Sequence, residues 1–127
     1  MKSSIEIGKY IRNKMINSDK LRKYVDNKIF PMIADEETTF PFIAYSRDTI
    51  TQDYVKGMGV LDNVEVSIKI VSLDYSESCE IASIVEELFN LKKDENYKIQ
   101  DSRIIDITEN YYENAYIQTL NFKFKTY

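Results

Sequence analysis

Along Asn63–Asn90 the spacing of apolar and polar positions changes once, and the change divides the stretch into a strand, a cap and a helix. Val64, Val66, Ile68 and Ile70 alternate with Glu65, Ser67 and Lys69. Period two predicts a strand with one apolar face and one wet face. The alternation breaks over Ser72–Ser78 and resumes at helical spacing, with Ile81, Ile84, Val85 and Leu88 at i, i+3, i+4 and i+7. A half-buried strand feeding an amphipathic helix needs a second layer, so the pattern predicts a sheet with helices packed on it. No glycine-rich turn joins strand to helix, so no phosphate cradle is written there.

The reading extends in both directions. Ser3 and Glu6 have capping-box spacing, and Ile7, Ile11 and Met15, with Tyr10 beside them, make one stripe. Together they predict a first helix starting near Ser3 or Ser4. Gly8 within it costs up to about 1 kcal/mol against alanine. Asn17-Ser18 interrupts the stripe. Ser18 as N-cap and Asp19 in the first turn predict a short helix through Leu21, Tyr24 and Val25. Ile29–Met32 is extended but cannot sit mid-sheet, because Pro31 has no N–H for a ladder. Asp35–Thr39 is a polar loop, and Pro41 opens a strand over Phe42–Ile50. Thr51–Asp62, with Gly57-Met58-Gly59 inside it, reads as a mobile connection between two strands.

Asp74 or Ser76 is the expected cap of the later helix, with Glu77 and Glu80 near its positive end. Lys92–Asn96 is a turn. Ile104, Ile105 and Ile107 mark a strand, and Glu113-Asn114 starts its return. Tyr116, Leu120, Phe122 and Phe124 share one parity of the last strand, with Gln118 the exception. The predicted architecture is a single α+β domain over residues 1–127. It has a mostly antiparallel four- to five-stranded sheet, with an N-terminal helix and a second helix at about 76–90 packed on one face.

Candidate chemistry is sparse. The 127 residues include no histidine, which removes the commonest general base and metal ligand and excludes a Ser-His-Asp or Cys-His site within the chain. One cysteine, Cys79, permits no intrachain disulfide and fits a reducing compartment. With no histidine, it cannot complete a set of four N/S ligands for structural zinc. Cys79 falls in the first helical turn, where the dipole lowers a thiol pKa, but it has no base to pair with and reads as a small semi-buried residue. Asp35-Glu36-Glu37 lacks calcium-loop spacing and reads as a solvated loop; Glu86-Glu87 occupies adjacent helix positions and does not converge. No apolar core segment marks Met1–Tyr10, so no signal peptide is expected, and no run is long enough to cross a bilayer. A non-enzymatic protein without metal or cofactor is therefore expected.

Charge adds an asymmetry. Residues 1–30 hold eight Lys/Arg against three Asp/Glu, while the other 97 hold nine against eighteen, which together give the net −4. Two solvated faces account for this, and so does a polar subunit that meets copies of itself, positive end to negative end. The acidic whole and the lack of a recognised motif argue against a nucleic-acid grip. Tyr111, Tyr112 and Tyr116 suit packing across the hairpin or at a subunit contact better than base stacking. Tyr54, Val55, Met58, Val60 and Leu61 make the Thr51–Asp62 segment more apolar than a solvated loop requires, which favours an interaction role.

The ordered elements resemble a known family. An N-terminal helix leads into Lys28-Ile29-Phe30-Pro31, then Phe40-Pro41-Phe42-Ile43-Ala44-Tyr45. Later the strand Val64–Val71 ends in Ser72-Leu73-Asp74-Tyr75-Ser76, followed by Ile81-Ala82-Ser83-Ile84-Val85-Glu86-Glu87-Leu88. The pattern is similar to the small tail-completion proteins of long-tailed bacteriophages, also called tail terminators or head–tail joining proteins. Its most telling motif is the Pro-aromatic-aliphatic step before a strand; the Lys92–Asn96 turn and the tyrosine-rich end depart from it.

The resemblance implies a structural virion protein, encoded by a phage or prophage and made in the host bacterial cytoplasm. Its subunits form a homo-oligomeric, hexameric ring on the tail. The ring caps the tail tube and presents a surface to the head connector, with DNA only passing through the lumen and no membrane involved. The implied partners are thus further copies, the tail tube protein and the head connector protein. The family carries no catalytic, cofactor or metal residues to transfer. The expected interface residues are Arg12 and Lys14 on the first helix, and Tyr54, Val55, Gly57, Met58, Gly59 and Val60 in the loop. The rival readings are a head-side connector or minor tail protein of the same particle, and a small cytoplasmic binding or regulatory module.

Overall fold

The structure is a computed structural model that describes residues 3–57 and 59–127. Three helices, α1 (Ile7–Ile16), α2 (Asp19–Val25) and α3 (Tyr75–Phe89), accompany five strands. The strands are β1 (Ile29–Pro31), β2 (Phe42–Val55), β3 (Gly59–Ser72), β4 (Ile99–Tyr112) and β5 (Ala115–Thr126), in the sheet order β1-β2-β3-β5-β4. The fold is α+β, and every pairing is antiparallel except β1 with β2. β1 lies at the edge, as Pro31 requires. The α3 crossover carries the chain from β3 past the place that β5 later fills.

The core lies between the three helices and one sheet face. Val64, Val66, Ile68 and Ile70 are fully buried, joined by Ile43 and Tyr45 from β2 and by Leu120, Phe122 and Phe124 from β5. Helix α1 buries the Ile7, Tyr10, Ile11 and Met15 stripe against them, and α2 adds Leu21 and Val25. Tyr10 meets Phe89 and Phe124 edge-on, with ring centroids 6.0 and 6.1 Å apart. The buried stripe of α3 is Ser78, Ile81, Val85 and Phe89, which leaves Ile84 and Leu88 half-buried. Its centre is rotated towards Phe89, because β5 supplies the aromatic partners Phe122 and Phe124 there.

Several local expectations are corrected. Helix α1 begins at Ile7, with no side-chain cap, because Ser4 turns inward and donates to Asp62 Oδ2 at 2.6 Å instead of capping. Ser18 does cap α2, accepting from Leu21 N–H at 3.4 Å. Asp74 is the N-cap of α3 by position only. The bonding is done by Ser72, whose Oγ accepts from Asp74 N–H at 3.1 Å and donates to Glu77 Oε1 at 2.8 Å. A bulge interrupts β4 between Ile104 and Asp106, leaving Ile104 half-buried against the core and Ile105 exposed.

The largest correction concerns Thr51–Asp62. It is laddered strand rather than a connection: Thr51 pairs with Asn63, and the register runs on to Val55 with Gly59. Alternation fails as a signal here because residues 51–54 are exposed on both faces while their partners Leu61, Asp62 and Asn63 are buried in succession, and Asn63 donates to Asp53 across the two strands. Gly57 and Gly59 have φ of 87° and 80°, a region open to glycine at little steric cost. At the other end, Glu113 and Asn114, both at positive φ, form the two-residue turn of the β4–β5 hairpin.

Candidate assembly interface

The outer ends of β2 and β3 form an arm that holds the expected loop residues. The last β3–β5 pair is Asp62 with Thr126, and beyond it β2 and β3 continue as a two-stranded ribbon for three more pairs. Among the described residues no third strand pairs with this ribbon, although Leu61 at its base is buried. The ribbon nevertheless carries Tyr54 and Val60 as a cross-strand pair, 76% and 56% exposed. Val55 is half-buried, Gly57 is exposed and Gly59 half-buried near the tip, while Met58 lies outside the described residues.

Arg12 is exposed on α1, as an interface charge requires. Lys14 has a different place. Its ammonium donates to Leu88 O at 3.2 Å and lies over the Tyr10 ring, 5.6 Å from the centroid. Burial, reinforced by the nearby charge of Lys92, lowers its pKa. Lys14 therefore ties α1 to the end of α3, and reversing its charge would strike the fold itself. No hydrogen bond or ion pair among the described residues joins Arg12 or Lys14 to Tyr54, Val55, Gly57, Gly59 or Val60. The expected interface residues thus fall on different elements, α1 and the outer ends of β2 and β3.

The sheet has two open margins. Among the described residues β4 lies at one side with no strand beyond it, and β1 covers only Ile43–Tyr45 of β2 at the other. The face away from the helices carries a polar row across four strands. Asp48 of β2 accepts from Ser67 of β3, whose Oγ also lies 2.7 Å from Asn121 Oδ1 of β5; Asn121 donates to Asp106 of β4 at 2.5 Å. Such a satisfied row makes this a wet face rather than a buried layer.

The predicted chemistry residues are dispersed. Asp35, Glu36 and Glu37 are exposed on the β1–β2 loop. Glu86 accepts from Asn90 Nδ2 at 3.0 Å, and Glu87 lies 4.0 Å from Lys20. Cys79 is exposed rather than semi-buried, with Sγ 3.7 Å from Gln118 Nε2. Among the described residues no group of His, Cys, Asp and Glu is placed to hold a metal ion. No helix of the described residues is long and apolar enough to cross a membrane.

A tyrosine cluster at the β4–β5 hairpin was only partly visible in the sequence. Tyr116 packs 4.9 Å from Tyr111 and 5.5 Å from Tyr75, centroid to centroid. Tyr75 comes from α3, and nothing local ties it to the hairpin. The available signal was Gln118, polar at an apolar parity. It is 5% exposed and donates to Glu109 Oε2 at 3.1 Å. Tyr75 O–H donates to the same oxygen at 2.9 Å, which raises the phenol to about 12.

No protein-family model matches the chain, and no curated protein matches its sequence. Among solved structures, a chain in the virion of a native gene transfer agent particle is similar, with a TM-score of 0.77 at 7% identity. The alignment covers 91% of this chain and 90% of that one. At that identity the likeness is one of fold, and it spans nearly the whole of both chains.

Proposed function

We propose that this protein is a structural virion component, a tail terminator or completion subunit that closes into a ring on the tail tube. In this reading the ring, most simply a hexamer, joins the tube to the head connector, lets DNA pass through its lumen and performs no catalysis. The observation that carries the proposal is the near-complete fold match to a chain of a virion particle. A ring closes through heterologous contacts, in which two different patches of one subunit meet. The arm, the exposed Arg12 and the two open sheet margins are candidate patches, and the +5/−9 division of charge between residues 1–30 and 31–127 supports contacts between unlike charges. The net acidity of the chain also suits a DNA passage, since phosphate contacts dominate DNA affinity.

The test is particle assembly without this protein, examined by electron microscopy. Overlong tubes without heads are expected. Tubes of normal length that lack only heads would replace the terminator by a head-side connector, and intact particles would contradict both roles.

A further inference from the structure

The tyrosine cluster forms a cavity of about 290 Å³, lined by Tyr75, Glu109, Asn110, Tyr111, Tyr116 and Gln118. Three aromatic rings meet around one carboxylate. Glu109 Oε2 is held by Tyr75 O–H and Gln118 N–H, while Oε1 has no partner among the described residues. No lysine or arginine among them lies within ion-pair distance of Glu109. Tyrosine faces and an oriented, unpaired carboxylate attract a cation together: the rings through their quadrupoles, the carboxylate through charge and hydrogen bonding.

The complementary surface is on the same chain but across α3 from the cavity. Tyr24 of α2 donates to Glu80 at 2.8 Å, which sets α2 on one flank of α3. Tyr75 and Cys79 line the other flank, beside Gln118. In the last turn of α2, Arg22 and Lys23 are exposed and have no ion-pair partner among the described residues. A cation on one flank and an aromatic-carboxylate cavity on the other cannot satisfy each other within a subunit, but they can between neighbours arranged head to tail.

We propose that the Tyr75–Glu109–Tyr111–Tyr116 cavity receives Arg22 or Lys23 from α2 of a second copy of this chain. The inference rests on the ring reading above and specifies which surfaces of neighbouring subunits meet.

The test is light scattering on the full chain over a concentration series, with circular dichroism as a check on folding. Glu109→Lys should weaken self-association by about tenfold or more, and the exposed-ring variant Tyr111→Ala by a similar factor. The paired reversal Arg22→Glu with Lys23→Glu should weaken it too, and adding Glu109→Lys to that pair should restore part of the loss. Wild-type self-association that neither Glu109→Lys nor Tyr111→Ala changes would overturn the cavity assignment and leave the ring reading standing. A wild type that stays monomeric at every concentration would overturn the ring reading, and with it a second copy as the occupant.

Discussion

At the scale of single residues, the fold is most exposed at Tyr10. Its ring fills the centre of the aromatic core at 2% exposure, while its hydroxyl has no hydrogen-bond partner. A buried polar group without a partner costs about 1–3 kcal/mol. Tyr10→Phe keeps the packing and removes that group, so it should raise unfolding stability by about 1 kcal/mol in denaturant titrations. Burial, with a smaller contribution from Asp94, raises the phenol to about 12, above the value of about 10 in an unfolded chain. The folded state thus holds the proton more tightly. That contribution is complete below about pH 10 and is lost as pH rises towards 12. The Phe variant should lose less stability than the parent over that window. Tyr10 was legible as a stripe residue beside Ile7 and Ile11, but its orphaned hydroxyl was not, because a sequence does not show whether a partner reaches a given oxygen.

At the scale of elements, legibility followed burial. Val64–Ile70, the α1 stripe and the edge placement of Pro31 were readable because each has one buried face, or lacks one backbone donor, and so leaves a mark in composition. The outer halves of β2 and β3 were not, since residues 51–54 are exposed in succession and Leu61, Asp62 and Asn63 are buried in succession, so neither strand writes an alternation. The same reason hid the continuation of β4 to Tyr112 as an exposed edge strand. The arm is therefore a structural finding, and its exposed Tyr54–Val60 pair needs a role. Tyr54→Ala combined with Val60→Ser should change monomer stability by no more than about 0.5 kcal/mol, as surface substitutions do. It should nevertheless weaken self-association several-fold or more by sedimentation, as loss of an exposed aromatic anchor does at an interface. Equal association by parent and variant would remove the arm from the interface.

At the scale of the whole molecule, the sequence carried the layer architecture and the charge division, while no local motif carried a function. The constellation with the most distinctive chemistry, Tyr75 with Glu109, Tyr111 and Tyr116, joins a helix to a hairpin more than thirty positions away. Only the β3–α3–β4 crossover brings it together. The proposed function assigns the arm, the two open margins and the aromatic cavity to contacts with other chains. The most direct test of that account is the solution mass of the purified protein, measured by light scattering across a concentration series. The account predicts a closed oligomer of fixed size, with six times the chain mass the favoured value. A strict monomer at every concentration would contradict it.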